Sequence, residues 1–389
     1  MKLEKSKWRK VKFGDVVYED KKTVDAKSSG LERYIAGEHM NTEDLHLRSW
    51  GIIGEDYLGP AFHRKFEKGD LLYGSRRTYL KKVAIADFDG ITSNTTFVLK
   101  ENKDIVVSGF IPFLMLSDRF TEHSVKHSKG SVNPYINFKD LAKFEFLLPP
   151  IDQQEKLAEL LWAGDDLIQK KLKEINQLRL THSIVIDNLI FESDFKYMPI
   201  KNIAIPELKG FVDGDWIESK DQSNSGIRLI QLADIGVRSF INKSRRFISE
   251  ETLNKLKCFE LFAGDILIAR MPDPIGRSCI LPEIDFRAIT AVDVCIIRPN
   301  LKLHNPKYWE YVFNTSRWFN LMNQFASGTT RSRVSKKNLE MIEMPTPTLD
   351  EQNKLVNQLN SFEIVNGFSD DNLNKLKVIQ YQLINSLFE

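Results

Sequence analysis

The sequence predicts an α+β protein built as an internal repeat, with two α/β globules separated by a pair of long antiparallel coiled-coil helices and related by a pseudo-two-fold axis. Three observations lead to this prediction. Motifs recur at a nearly constant offset, each half opens with short strand-like segments, and each half closes with a heptad pattern of apolar residues. A chain of 389 residues also exceeds what one compact core accommodates.

The repeat is carried by several separate segments. Gly69-Asp70 recurs as Gly264-Asp265, and 264 − 69 gives an offset of 195. The segment 149–157 (PPIDQQEKL) is matched by 347–355 (PTLDEQNKL), where 347 − 149 gives an offset of 198. This period is the size of a domain with its connector and far exceeds the roughly 20–50 residues of a solenoid repeat. Two copies of one module predict two similar binding surfaces.

Residues 1–149 and 193–346 are predicted to form the two globules. Short apolar runs such as 82–86 are rich in β-branched side chains and are bounded by Gly, Pro, Asn or Asp, which is typical of strands. Apolar residues three and four apart predict helical stretches at 108–127 and 305–326. Each globule should therefore combine strands with short helices.

Residues 150–192 and 347–389 are predicted to form the two long helices. At a rise of 1.5 Å per residue, each helix would be roughly 55–60 Å long. Apolar residues in alternating four- and three-residue steps predict that the helices pack on each other, and each position of the first helix matches one in the second at the offset of 198, with Asn366 the one polar exception. The predicted helix-pairing residues are Leu157, Leu161, Ile168, Ile175, Leu178, Val185, Leu189, Leu355, Leu359, Leu373, Leu376, Leu383 and Leu387.

Capping signals are predicted where each long helix begins. Asp152 with Glu155 three residues later resembles a capping box, and Asp350 with Asn353 is a weaker version of it. Each of these starts follows proline-rich sequence, which favours extended backbone.

Some positions inside the long helices depart from the apolar pattern. His182 and Gln380 occupy the same seam position in the two copies, and a buried polar pair of this kind can fix helix register. Gly164 and Gly367 are expected to make each helix liable to bend.

Composition excludes several classes of protein. No apolar run approaches the roughly 18–20 residues that a membrane span needs, and the charged N-terminal residues do not resemble a signal peptide. The three cysteines form no closely spaced pair, which argues for a reducing, cytoplasmic setting and against disulfides or a zinc site. The seven histidines show no metal-ligand spacing, so we expect no metal.

Positive charge is concentrated outside the helices. Residues 150–192 and 348–389 each carry a net charge of −3, so the remainder of this +2 chain carries +8, because 2 − (−6) = 8. Basic side chains cluster at 63–82 and, without any acid, at 317–337. Localised basic surface on a near-neutral protein indicates a polyanionic partner, in particular nucleic acid.

Motifs of the common enzyme classes are missing from the sequence. Phosphate-binding loops, dinucleotide-binding glycines and nucleophile elbows do not occur, and Asn133-Pro134-Tyr135 lacks the second proline of a methyltransferase motif. We therefore expect a recognition protein with no catalytic residues and no cofactor.

Two globules that each lead through a Pro-Pro-Ile-Asp-Gln-Gln-Glu-like signature into a long heptad helix resemble the specificity subunits of Type I restriction-modification systems. The signature lies at 148–154 and 345–352, the second copy lacking the double proline. The glycine turns at Gly130-Ser131 and Gly328-Thr329 also look like the family. The resemblance extends over essentially the whole chain.

The resemblance implies that each globule is a target recognition domain reading one half of a bipartite double-stranded DNA site. It implies that the helices set the spacer and dock methyltransferase (modification) subunits, and that motor-nuclease (restriction) subunits join the complex. Arg and Lys give affinity through phosphates, and Arg, Asn or Gln choose bases. The predicted DNA-binding residues are Arg76, Arg77, Tyr79, Lys129, Arg270, Arg277, Arg331 and Arg333.

Two alternatives remain open from the sequence. The paired helices could join two protein-binding modules in a scaffold that does not recognise DNA. The chain could also be the specificity subunit of a Type II-like fused restriction enzyme. Salt-sensitive binding to duplex DNA separates the scaffold from both recognition proteins.

Overall fold

The computed structural model describes residues 5–55, 57–328 and 332–389. The chain divides into two compact units. The first unit comprises Met1–Lys173 with Asp371–Glu389, and the second comprises Glu174–Asp370. Each unit thus contains one globule together with parts of both long helices.

The first globule begins with a strand and leads into the first long helix. Its elements in chain order are β1 (Arg9–Lys12), α1 (Phe13–Val16), β2 (Val17–Glu19), β3 (Arg33–Ile35), β4 (Gly51–Ile52), β5 (Phe62–Phe66), β6 (Leu71–Gly74), β7 (Val83–Ile85), β8 (Gly90–Ser93), β9 (Thr96–Glu101), α2 (Ile111–Leu116), α3 (Asp118–Lys126), α4 (Phe138–Leu141), β10 (Glu145–Leu148) and α5 (Ile151–Phe191).

The second globule follows α5 and leads into the second long helix. Its elements are β11 (Tyr197–Pro199), β12 (Phe211–Asp213), β13 (Gln222–Ser223), β14 (Ile227–Ile230), β15 (Arg246–Ile248), α6 (Glu250–Leu256), β16 (Ile266–Ala269), β17 (Ser278–Ile280), β18 (Ala288–Thr290), β19 (Val294–Ile297), α7 (Pro306–Val312), α8 (Ser316–Phe325), α9 (Lys336–Met341), β20 (Glu343–Pro345) and α10 (Leu349–Phe388).

The sheets of the two globules are largely alike, although the parallel pair is central in one sheet of the first globule and at the edge of its counterpart in the second. In the first globule the strand orders are β2-β9-β6-β7 and β4-β3-β8-β5, and β1 pairs with β10. In the second the orders are β12-β19-β16-β17 and β13-β15-β14-β18, and β11 pairs with β20. The parallel pair β3-β8 has its counterpart in β14-β18, while the neighbouring pairs are antiparallel. The predicted α+β repeat is therefore confirmed.

The long helices contribute to the hydrophobic core of each unit. In the first unit, Leu157 and Leu161 of α5 and Leu387 of α10 belong to the cluster that contains the aromatic side chains of the globule. In the second unit, Leu355 and Leu359 occupy the equivalent place. Full burial of one such leucine contributes about 1.5–3 kcal/mol, so each globule is tied firmly to its helix segments.

The two predicted helical stretches are each divided into two helices. The stretch 108–127 forms α2 and α3, and 305–326 forms α7 and α8. The break falls at Ser117 in one copy and Thr315 in the other, where the hydroxyl accepts a hydrogen bond from the N–H three residues later. A hydroxyl at this position caps a new helix, which apolar periodicity alone does not reveal.

The repeated signature contains a buried glutamine that anchors the start of α5. Gln154 is 1% exposed. Its Nε2 donates to the carbonyls of Pro149 at 2.9 Å and Ile105 at 3.2 Å, and its Oε1 accepts from the N–H of Val107 at 2.9 Å. One side chain thereby satisfies three backbone groups and fixes the loop after β9 to the helix.

The second copy repeats this arrangement at α10. Gln352 is fully buried. Its Nε2 donates to Pro347 at 2.8 Å and Leu303 at 3.3 Å, and its Oε1 accepts from Asn305 at 2.8 Å. All three partners stand at the offset of 198 from those of the first copy, so the recurring sequence signature corresponds to a recurring backbone anchor.

The predicted capping boxes are wrong, because Asp152 and Asp350 lie inside the first turn of their helices and not at the cap position. Because α5 begins at Ile151, Asp152 lies within the first turn and does not cap it. At α10 the cap is Thr348: the carboxylate of Glu351 accepts from its backbone N–H at 2.8 Å and its hydroxyl at 2.7 Å. Asp350 also lies in the first turn, where a negative charge is stabilised by the helix dipole.

All thirteen predicted helix-pairing residues are buried or half-buried. In the first unit, Gln380 of α10 donates to the carbonyl of Leu161 of α5 at 2.8 Å. Gly164 provides the space, because a Cβ there would lie 2.2 Å from Gln380 Oε1. The predicted bend at this glycine does not interrupt the helix, since α5 is continuous from Ile151 to Phe191.

The helix segments of the second unit run antiparallel. Arg179 of α5 donates to Asp370 of α10 at 2.7 Å, and three residues further along α5 the ring of His182 stacks on Phe362 at 4.5 Å. The contacts thus move toward higher residue numbers on α5 and toward lower residue numbers on α10. The seam histidine is used in packing.

Candidate nucleic-acid interface

Three loops meet at one edge of the first globule. The N–H of Ser75, just after β6, donates to the carbonyl of Thr95 at 2.9 Å, and the carbonyl of Ser75 accepts from Ile136 at 3.0 Å. Lys129 and Tyr135 exchange backbone hydrogen bonds of 2.8 and 2.9 Å, which closes a small hairpin. We name this set the first loop cluster; it comprises residues 75–81, 93–95 and 129–136.

The predicted DNA-binding residues of the first copy all lie in this cluster. Arg76, Arg77, Tyr79 and Lys129 are exposed, Tyr79 by 54%. Arg77 has a left-handed backbone (φ 48°), and its Nε donates to Asn133 Oδ1 at 3.2 Å. Among the described residues neither arginine forms an ion pair, whereas Lys129 Nζ lies 3.7 Å from Asp140 Oδ2. The cluster therefore presents cations and an aromatic ring to solvent from a backbone fixed by hydrogen bonds.

Other basic side chains, in the predicted stretch 63–82 and on the neighbouring strand β9, are engaged within the globule. Lys100 and Lys65 hydrogen-bond Glu67 at 3.0 and 3.2 Å, and these bonds hold the pKa of Glu67 at about 2. Lys81 is buried and donates to Asp118 at 2.7 Å. These charges are neutralised locally, whereas Arg76 and Arg77 of the first loop cluster are exposed.

The second globule contains the same loop arrangement. The N–H of Arg270, just after β16, donates to the carbonyl of Asp293 at 2.9 Å, and its carbonyl accepts from Val334 at 3.1 Å. Ser327 and Arg333 exchange backbone hydrogen bonds of 3.1 and 2.9 Å. These contacts match those of the first copy at offsets of 195 and 198. We name this set the second loop cluster; its described residues are 270–277, 291–293, 327–328 and 332–334.

Two of the predicted residues of the second copy lie beneath these loops. Arg270 is 3% exposed, forms an ion pair with Asp213 at 3.0 Å and donates to the carbonyls of Val292 and Val334. Burial lowers the pKa of its guanidinium. In this position the side chain fixes two loops of the cluster to each other.

Arg277 forms more hydrogen bonds within the protein than Arg270 does. It is 7% exposed, and burial lowers the pKa of its guanidinium. Its three nitrogens donate to backbone carbonyls at 2.7–3.0 Å, those of Leu232, Ile235, Met271 and Pro274. A planar group with several donors suits this task. The structure thus places Arg277 as a support for the loop, with its donors already occupied.

The other two predicted residues of the second copy are Arg333 and Arg331. Arg333 is half-buried, donates to the carbonyl of Val292 at 3.0 Å and lies 3.4 Å from Asp293 Oδ1. Arg331 lies outside the described residues. Of the second copy's four residues, Arg333 is therefore the one described at the cluster surface.

Sequence reasoning missed an arginine that is enclosed by aromatic rings in both copies. The guanidinium of Arg33 lies 4.5 and 4.9 Å from two ring centroids, and that of Arg228 lies 5.6 and 5.3 Å from two others. The rings belong to Trp50 and Phe88 in the first globule and to Phe247 and Phe286 in the second. The repeat of Arg33-Tyr34-Ile35 as Arg228-Leu229-Ile230 was the available signal.

The long helices carry exposed apolar residues that the seam does not use. In the first unit these include Leu167 of α5 and Val378 of α10, and in the second Leu180 and Val365. Leu167 matches Val365 and Leu180 matches Val378 at the offset of 198. The same exposed apolar positions therefore occur in both copies.

No group of acidic, histidine or cysteine side chains that could hold a metal ion is found in the described part of the chain. Nor does any helix there have the length and apolar character needed to cross a membrane.

Comparison with known proteins yields a family match to both halves. The model of the Type I restriction modification DNA specificity domain matches residues 5–177 and again residues 190–378. The chain belongs to this family. The resemblance inferred from the repeated signature is therefore confirmed.

Individual relatives agree with the family. The chain is 23% identical over 290 residues to the Type I restriction enzyme MjaVIII specificity subunit of Methanocaldococcus jannaschii, an alignment that covers 70% of this chain and 68% of the relative. It is 32% identical over 159 residues to the EcoDI specificity subunit of Escherichia coli, covering 39% of this chain and 34% of the relative.

A solved structure shares the fold. A chain from a study of complex assembly and conformational transition of the type I R-M system superimposes with a TM-score of 0.62 at 19% identity. The match covers 97% of this chain and 96% of that one. The fold is therefore shared over nearly the whole chain.

Proposed function

We propose that this chain is the non-catalytic DNA sequence-recognition subunit of a type I restriction-modification complex. Each globule, 1–149 or 193–346, acts as a target recognition domain for one half of a bipartite site. The observation that carries the proposal is the double family match together with a loop cluster repeated in both globules. A scaffold without DNA recognition would have no need of exposed arginines without an ion pair, such as Arg76 and Arg77 among the described residues of the first loop cluster.

The first loop cluster is proposed to contact DNA through Arg76, Arg77, Tyr79 and Lys129. Exposed guanidiniums can bind phosphates or read guanine with two hydrogen bonds, and the Tyr79 ring can pack against sugars or bases. A backbone fixed by hydrogen bonds limits the entropy that these side chains lose on binding.

In the second loop cluster the proposed contacts come from Arg333 and from Arg331, whose position is not described. Arg270 and Arg277 remain candidates from the sequence, but their bonded guanidiniums suit a positioning role, in which they hold the loops that carry the readers. Their effect on DNA binding would then be indirect.

The helices, 150–192 and 347–389, are proposed to set the spacer and to dock methyltransferase subunits. The repeated exposed pairs Leu167/Val365 and Leu180/Val378 support two equivalent docking sites, one for each methyltransferase copy. A motor-nuclease subunit would complete the complex. The partners would supply the chemistry in the cytoplasm, and this chain would hold no cofactor.

The test is DNA binding by the chain assembled with its methyltransferase partner. The logarithm of the affinity should fall with the logarithm of salt concentration with a slope steeper than about −3, because each neutralised phosphate contributes roughly −0.9. Mapping of methylated bases in cells carrying both proteins should give a bipartite motif with a fixed spacer. A slope near zero together with methylation lacking such a motif would favour the scaffold.

A further inference from the structure

One side chain of the first globule is bonded to an acid on the long helix of its own unit. His46 Nε2 lies 2.7 Å from Asp165 Oδ2 of α5. The Asp165 side chain is only 13% exposed. His46 belongs to the loop after β3, which runs beside β7 and forms a backbone bridge to Ile85. The contact therefore joins the edge of a sheet to the helix.

The contact is part of a closed hydrogen-bonded circuit. Asp44 accepts from the backbone N–H of His46 at 3.0 Å and from Arg48 Nε at 2.9 Å. Arg48 donates to Gln169, whose Nε2 approaches Asp165 Oδ1 at 3.5 Å. Two helix residues and three loop residues thus hold one another in a ring.

The second unit has an acid at the same helix position. Glu363 corresponds to Asp165, because 363 − 165 gives the offset of 198. Arg238 forms an ion pair with Glu363, and its guanidinium lies 3.8 Å from the Tyr311 ring centroid. The N–H of Arg238 donates to Ser278 of β17, the counterpart of β7, at 2.9 Å. The loop after β14 therefore reaches α10 as the loop after β3 reaches α5.

We propose that His46–Asp165 and Arg238–Glu363 are equivalent clasps, each holding its globule at a fixed angle on the helices. A rise in pH would weaken the first clasp and leave the second unchanged. The four residues are positioning residues. The inference rests on the proposed function, since the angle of each globule determines how its loop cluster is presented to a half-site.

The difference between the clasps follows from their charged groups. His46 faces Asp165 on α5 and Asp44 and Arg48 on its own loop, and the hydrogen bond to Asp165 raises the pKa of His46 above its usual value of about 6.5. The ion pair is therefore fully present below about pH 6.5 and is lost as the pH rises through the raised pKa. Arg238 stays protonated throughout this range, and Lys307 Nζ lies 3.7 Å from Glu363 as a second cation.

The first test measures the clasp without DNA. The histidine ring signals of the full chain are titrated by NMR, and His46→Gln identifies the signal of His46. Asp165→Asn should lower the pKa of His46, whereas Asp166→Asn, the same change at the exposed neighbour on α5, should leave it unchanged. Equal effects of the two substitutions, or none, would overturn the proposal.

The second test measures positioning in the complex with methyltransferase subunits. The affinity for the cognate duplex is divided by the affinity for a duplex whose spacer is one base pair longer, so general effects of pH cancel. The wild-type ratio should be about two- to fivefold higher near pH 6 than near pH 8, the range expected of a partly exposed ion pair.

The variants assign this response to one clasp. Asp165→Asn should remove the pH dependence of the ratio, Asp166→Asn should retain it, and Glu363→Gln should lower the ratio equally at both pH values. A pH response that persists in Asp165→Asn would refute the proposal. A complex that fails to bind DNA at all would instead refute the proposed function, while the NMR titration would still report on the clasp.

Discussion

Replacing Gln154 by Ala should loosen the first globule from the start of α5. The substitution removes three hydrogen bonds and leaves the carbonyls of Pro149 and Ile105 and the N–H of Val107 without this partner. At about 1 kcal/mol for each bond, the loss of stability is about 3 kcal/mol. Since each 1.4 kcal/mol is a factor of ten, the local opening equilibrium should rise about 100-fold.

Hydrogen–deuterium exchange read by mass spectrometry measures this effect locally. Exchange in the peptide containing Val107 should accelerate about 100-fold in Gln154→Ala, while the peptide containing Asn305 should be unaffected. Gln352→Ala should produce the reverse pattern, because its three partners lie in the second unit. Gln177→Ala, at an exposed position of α5, serves as the matched control.

The outcome that would refute the reasoning is specific. If Gln154→Ala changed exchange near Val107 by less than about threefold, the glutamine would not stabilise the loop by the expected amount. If it accelerated exchange equally near Val107 and Asn305, the two anchors would not act within separate units. Either result would leave the recurrence of the signature without its structural explanation.

Three further predictions address DNA contact, the spacer and the helix pair. Replacing Arg76 and Arg77 by Gln should make the salt slope of DNA binding shallower by about 1.8 if both contact phosphates, whereas Lys10→Gln, which removes the partner of Glu145, should not change it. Four residues inserted near Leu178 should add about 6 Å and 40° of rotation, shifting the spacer found by methylation mapping by one to two base pairs; an unchanged spacer would show that the helices do not measure DNA. Replacing Gly by Ala at position 367, where nothing lies within 4 Å, should raise the free energy of unfolding by about 1 kcal/mol. The same change at position 164 should give no such gain, because the new Cβ displaces the Gln380 amide, and equal gains would contradict the contact.

The architecture could be predicted because its signals are periodic or repeated. The seam of α5 and α10 follows from apolar spacing, and the equivalence of the globules follows from constant offsets. Local polar chemistry was harder to predict. The caps at Ser117, Thr315 and Thr348 depend on one side-chain oxygen meeting one N–H, and this geometry leaves no periodic trace in the sequence.

Site residues were harder still, because charge in a sequence does not reveal exposure. Arg76 and Arg277 look alike as isolated arginines, yet one is exposed and the other donates to four carbonyls. An arginine on a loop beside proline and glycine can serve either role. Only the positions of the surrounding carbonyls distinguish them, and these depend on the tertiary fold.

The internal repeat itself provides a way to separate structural from recognition positions. Gln154 and Gln352 keep both their identity and their contacts, as expected where two copies need the same fold. Tyr135 and Arg333 keep the same backbone pairing in their hairpins but differ completely in side chain. Two half-sites of different sequence require different side chains on equivalent backbones. Under the proposed function, divergence on a retained backbone points to the loop clusters, more strongly than positive charge alone, as the surfaces where the two globules would read different DNA.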